Sequence, residues 1–191
     1  NNLDVIGKLE DLAPGERIYS TRFIEDRAYM VTFKRIDPLF VIGLSNPSSP
    51  KILGKLKIPG FSDYLHPYDD DTIIGIGKET GEEIDEGSFK AVLPKGVKLA
   101  LFDVSDVENP REIAKYEIGD RGTDSEALHE HKAFLFSKDK NLLVMPITLA
   151  EIKGNQQGNK FAYGEFTFQG AYVFTLTKEK GFELTGRISH I

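Results

Sequence analysis

Three stretches of this chain follow one plan. Leu39 to Gly60 (LFVIGLSNPSSPKILGKLKIPG), Leu99 to Gly119 (LALFDVSDVENPREIAKYEIG) and Ala171 to Ile191 (AYVFTLTKEKGFELTGRISHI) each set an apolar strand, a turn and a second strand in that order. The turn is written in Ser, Asp, Asn and Pro in the first two and more loosely in the third. A plan repeated within 191 residues confines the chain to a repeat architecture, because each short unit buries its apolar surface only by stacking on its neighbours.

The central strands of the units, LFVIGL, LALFDV and LLVMPI, are apolar on both faces instead of alternating apolar with polar. A small sheet buried on both faces needs a neighbour on each side. Repetition around an axis supplies this while leaving only short edges, which is the logic of a β-propeller; a sandwich would leave one face of each sheet wet and show strict alternation. The expected fold is all-β: a propeller-like array of about three four-stranded antiparallel blades plus one N-terminal strand. In order, Leu3 to Leu9 (LDVIGKL) matches the last strand of a unit, so residues 1–12 are expected to be a blade remnant. Residues 13–60, 61–119 and 120–191 follow as blades. The first strands of the second and third blades are expected at Tyr64 to His66 and Ser125 to Glu130, and both AFLF and LLVMPI qualify as the third blade's second strand. Two long excursions, Lys78 to Gly96 and Thr148 to Gln169, separate second and third strands. Nothing reads as a long amphipathic helix.

Composition narrows the function. At 40% hydrophobic the chain is expected to fold as one compact body, and its net charge of -6 argues against nucleic-acid and anionic-membrane surfaces, which require a basic face. The absence of cysteine excludes disulfides, thiolate nucleophiles and Cys-ligated zinc. No apolar run reaches the ~20 residues of a helical membrane span. Plentiful Lys and Glu beside scarce Gln lean toward a thermophilic source.

The phrases ERIYSTRFIEDRAYMVTFKRIDPLFVIGLSNPSSPKILGKLKIPGFSDYLHPY, KLALFDVSDVENPREIAKYEIG and SEALHEHKAFLFSKDKNLLVMPI resemble the β-propeller domain of exported archaeal and bacterial proteins distantly related to WD40 repeats. The DVSDVENP-type segments are also similar to the LVIVD repeat. The resemblance implies a secreted or surface-exposed propeller with no catalytic motif to carry over. Three units do not close a ring of four to eight blades. The chain is therefore read as a fragment of a longer member, or as a piece that completes its ring in trans as a homo-oligomer.

Candidate site residues fall in two places. Ser62-Asp63-Tyr64-Leu65-His66 and Ser125-Glu126-Ala127-Leu128-His129 give S-[D/E]-x-L-H twice, on strands expected to line the central channel. Period two sets Asp63 with Leu65 and Tyr64 with His66, on opposite faces. Asp63, His66, Glu126, His129 and His131 are then either a polar-ligand or metal site assembled across blades, or groups that fix blade packing by hydrogen bonding at a crowded axis; the packing role is favoured. Asp69 to Asp71 lacks the spacing of a calcium loop and reads as a solvated turn, and Glu79, Glu82, Glu83, Asp85 and Glu86 read as a mobile, solvated charge run. GIGKETG lacks phosphate-loop spacing, and no G-x-S-x-G elbow organises a triad.

The second place is the rim. Both excursions connect the same pair of strands, so both lie on one rim of the disc, where a scaffold carries recognition. Phe161, Tyr163, Phe166 and Phe168 there are either anchors for a protein or glycan partner or caps on the outer strands. The expectation is a non-catalytic binding or scaffold module with no cofactor, no catalytic residue and no metal. The alternative is a metal-assisted hydrolase or other enzyme using the channel acids and histidines.

Overall fold

The computed structural model describes residues 3–33, 37–87 and 89–190. Among the described residues, twelve strands form three four-stranded antiparallel sheets. The first sheet holds β1 (Arg17–Ile24), β2 (Arg27–Phe33), β3 (Asp37–Gly43) and β4 (Lys51–Ile58) in spatial order. The second holds β5 (Phe61–Asp69), β6 (Thr72–Glu86), β7 (Phe89–Asp103) and β8 (Arg111–Ile118). The third holds β9 (Leu135–Ser137), β10 (Leu142–Glu151), β11 (Glu165–Thr177) and β12 (Gly181–Ser189). Consecutive strands pair throughout, each sheet is one blade, and the first blade's inner strand β1 packs beside the second's, β5.

The apolar two-sidedness of the central strands is explained by where alternate residues go. Ile74, Ile76, Leu99 and Leu101 pack with Leu143, Met145, Ile147, Tyr172 and Phe174 between blades two and three. Ile73, Ala100 and Phe102, from the other face of the same strands, pack with Tyr29, Val31, Leu39 and Val41 between blades one and two. Burying both faces stabilises each such side chain by roughly 1.5–3 kcal/mol relative to exposure.

The repeated turn is built from side-chain acceptors. Asp103 Oδ1 accepts from Ser105 N at 3.0 Å and Ser105 Oγ at 2.6 Å, while Oδ2 pairs with Arg111 on the next strand. The Ser105 hydroxyl and amide, together with the Arg111 guanidinium, hold the Asp103 carboxyl down at about 2. In the first blade's version, Asn46 Oδ1 accepts from Ser48 N at 3.2 Å.

Three expectations are corrected. Residues 3–10 make no ladder pairing; instead Leu9, Leu12 and Ala13 pack over Ala28, Phe40 and Ile42 on the outer face of blade one. Gly7 lies so close to the β3–β4 turn that a Cβ there would sit 2.1 Å from Pro47 O. Ser125 to Glu130 is not a strand but holds a short 3₁₀ turn, Glu126–Leu128, and a second, His131–Ala133, follows it. Ser125 diverts the chain: its Oγ accepts from Ala127 N at 3.2 Å and donates to Pro146 O at 2.6 Å, a local alternative to a ladder. AFLF therefore supplies the third blade's first strand, and LLVMPI its second.

The third correction is that Lys78 to Gly96 is no loop. β6 and β7 pair onward to Glu86 and Phe89 as a two-stranded arm beyond the reach of β5 and β8. Glu79 is consequently only 5% exposed instead of solvated, facing Lys98 at 4%. Lys98 Nζ lies 2.8 Å from Glu112 Oε2 and 3.6 Å from Glu79 Oε2, and donates to Pro59 O at 2.9 Å. Asp69 is likewise no free turn residue, since Lys138 and Lys178 reach its Oδ2 from blade three at 3.2 and 2.7 Å.

Candidate functional site

The inner wall is shaped by irregular strand pairing. The β5–β6 register slips between Ser62 and Tyr64, leaving Asp63 as the extra residue of a bulge. A bulge re-aims its side chain, and here it removes Asp63 from strict alternation. The charges acting on Asp63 are those of His129, Lys78 and Asp124, on the blade-three side where Tyr64 also packs; the expected opposition of Asp63 and His66 across the strand is thereby lost. Lys78 Nζ donates to Asp124 Oδ1 at 2.8 Å and to Thr123 O, and His129 Nε2 lies 3.5 Å from Asp124 Oδ2. On this wall Lys78, set between an acid and a carbonyl, ties blade two to blade three.

The other predicted residues separate. His66 Nδ1 is 2.9 Å from Tyr64 Oη, and its ring lies edge-on to Phe134 and Phe136 at 5.1 and 5.6 Å. His131 is exposed, 3.5 Å from Glu130 Oε1, with its ring 6.3 Å from that of Tyr64. Glu126 is exposed and lines a cleft with Pro146 and Gln169. Among the described residues no three His, Asp or Glu side chains converge as a metal-holding group. Sequence reasoning missed Lys78, which was assigned to a loop; the available signal was its position directly after the strand TIIGIG. It also missed Arg22, whose Nε is buried without a hydrogen-bond partner and whose charge acts on Tyr64 and His66.

Two titrations on this wall oppose each other. Burial pushes the Asp63 carboxyl up to about 6, against the attraction of His129 and Lys78. Burial, then the Arg22 guanidinium, push the His66 imidazole down to about 4. The raised acid makes the folded state bind more protons than the unfolded chain between about pH 4 and 6, so its contribution is full at low pH and lost as pH rises through 6. The depressed histidine does the reverse between about 4 and 6.5, adding stability as pH rises. The two slopes offset in the native protein. Asp63→Asn is therefore expected to gain stability over the native protein as pH rises from 4 to 6.5, by on the order of 1 kcal/mol per pH unit at most, and His66→Gln to lose it by a smaller amount, because solvent screens the half-buried imidazole. Urea unfolding at pH 4, 5, 6 and 7 reads this; parallel profiles for all three proteins would refute it.

The rim holds the second group of candidates. β10 and β11 extend past their neighbours, joined by residues 152–164 with a 3₁₀ turn at Gly154–Gln156. Between this loop and the β6–β7 arm lies a cleft of about 390 Å³ lined by Ile84, Leu93, Ile152 and Ala162, with Lys95, Asp120, Arg121 and Lys160 among its polar residues. Beside it Phe161, Tyr163 and Phe166 are exposed, whereas Phe168 is half-buried against Tyr172 at 5.6 Å and acts as a cap. The Arg121 guanidinium lies 5.4 Å from the centre of the Tyr163 ring and donates to Phe161 O at 3.4 Å.

Comparison with known proteins agrees with this architecture. The family described as a beta propeller domain matches residues 1–191. An uncharacterized protein of Methanocaldococcus jannaschii is 44% identical over 146 residues, covering 76% of this chain and 21% of that protein. An uncharacterized protein of Archaeoglobus fulgidus is 40% identical over 161 residues, covering 84% of this chain and 22% of its own length. The chain thus spans about a fifth of the curated relatives it matches. The three stacked four-stranded blades and a match along the whole chain place it in the beta propeller domain family.

Proposed function

We propose that this domain is a non-catalytic binding or scaffold module of a secreted or cell-surface protein, and that its partner docks on the rim carrying the two long hairpins. The observation that supports this reading is the cleft between the β6–β7 arm and residues 152–164, with exposed aromatic side chains at its side. Apolar floor, polar edge and exposed aromatics are the composition of recognition surfaces. The inner wall enters as structure: its Lys78–Asp124 and His66–Phe134 contacts tie blades two and three together. The extracellular setting rests on the family resemblance of the repeated phrases.

Unbiased selection from peptide and glycan libraries against the domain tests the location. Selected ligands are expected to weaken by roughly ten-fold or more when Arg121→Ala and Tyr163→Ala are combined, and to be unaffected by Lys55→Ala on β4. Ligands insensitive to the rim pair but lost with Asp63→Asn or His129→Ala would move the site to the inner wall and end this reading.

A further inference from the structure

The rim cleft differs in character from the rest of the molecule. In a chain of net charge -6, three of the four charged residues that line it among the described residues are cations: Lys95 from β7, Arg121 from the turn after β8, and Lys160 from the insertion loop. The acid among these described residues, Asp120, accepts from Ile152 N through Oδ2 at 2.7 Å and so anchors the loop. Strand alternation explains where the arm's described acids go. Ile84 pairs across the arm with Ala91, placing Ile84 and Leu93 on the cleft face; Glu83 and Asp85 occupy the alternate positions and do not line the cleft. The floor is aliphatic, from Ile84, Leu93, Pro94, Ile152 and Ala162, with no aromatic ring among the described lining residues.

Resting on the rim reading above, we propose that the occupant of this cleft is an acidic peptide segment of a partner protein that inserts an aliphatic side chain between the two hairpins. An aliphatic floor takes a Leu- or Ile-like side chain, whereas a sugar ring is better matched by a flat aromatic platform. The Arg121 guanidinium, placed by Phe161 O and the Tyr163 ring, offers a planar fork suited to a carboxylate, and Lys95 and Lys160 extend the positive edge. Charge complementarity of this kind fixes which partner binds and speeds encounter more than it adds affinity.

The test uses a fluorescein-labelled ten-residue peptide alternating leucine and glutamate, a counterpart with lysine for each glutamate, a third with serine for each leucine, and oligogalacturonate as an acidic glycan. Fluorescence anisotropy is expected to show the leucine–glutamate peptide binding roughly ten-fold or more tightly than the other two peptides, with affinity falling as salt rises. Arg121→Glu combined with Lys160→Glu is expected to cut that affinity by roughly ten-fold or more; should the pair impair folding, judged by its melting curve, Arg121→Gln alone gives the same direction. Equal binding of the acidic and basic peptides, insensitivity to charge reversal, or no peptide bound at all overturns the inference. Binding of oligogalacturonate or a neutral library ligand that is lost with Tyr163→Ala overturns the acidic-peptide assignment while leaving the rim as the site. Library ligands that map to the inner wall overturn both.

Discussion

Replacing Lys98 by alanine is expected to destabilise the domain by about 3–5 kcal/mol, because it strands two carboxylates out of water. Glu79 Oε2 and Glu112 Oε2 are both buried and make no hydrogen bond of good angular geometry, so their charge is balanced by contact with Lys98 Nζ at 3.6 and 2.8 Å. Lys115 is a weaker substitute, half-exposed and 3.8 Å from Glu79. The Pro59 carbonyl also loses the donor it accepts from. The check is a triple variant, Lys98→Met with Glu79→Gln and Glu112→Gln. Removing all the charges together is expected to restore most of the loss, since a buried ion pair contributes little net stability beyond what its isolated members would cost. Urea midpoints read both; a single variant within 1 kcal/mol of the native protein would show that water reaches the pair.

Phe102→Ala is expected to cost a similar about 3–5 kcal/mol through the cavity it leaves. The ring is fully buried between blades one and two, and it lies over Gly75 on the neighbouring strand, where a Cβ would come 2.6 Å from the ring's Cε2. Ring and glycine are complementary shapes. Gly75→Ala alone is expected to destabilise by about 1–3 kcal/mol through overpacking, and the double variant to lose less than the sum, because the new methyl enters the space the ring vacates. Strict additivity in thermal or urea unfolding would show that the two positions do not share one space.

Much of the fold is legible in the sequence, and for a physical reason. LFVIGL and LALFDV declare sheets buried on both faces, and the Asp103, Ser105 and Asp106 turn needs only local side-chain acceptors, so neither depends on distant residues. The failures are all places where long-range pairing decides. Lys78 to Gly96 looks like a loop because its charges are dense, yet Glu79 is compensated by Lys98, which arrives from the next strand. Ser125 to His129 repeats the S-[D/E]-x-L-H pattern of Ser62 to His66, but a hydroxyl bonded to Pro146 O turns it into a 3₁₀ segment. Asp63 follows period two on paper and leaves it at a bulge, a one-residue slip that no residue type announces. Site residues suffer most from such slips, since the fold survives a bulge while the facing of one carboxylate does not.

The rim cleft has one wall of paired backbone, not free loop: on the β6–β7 arm, Thr80 faces Pro94, Glu83 faces Val92 and Ile84 faces Ala91 in the ladder. The conformational entropy of those residues is lost when the domain folds, at about 1–2 kcal/mol each for the backbone, and is not lost again when something binds. An incoming chain meets that wall already in its final shape. For the proposed peptide, this wall would require no ordering step on binding, so salt would act on the rate of arrival and the aliphatic floor on the time of residence.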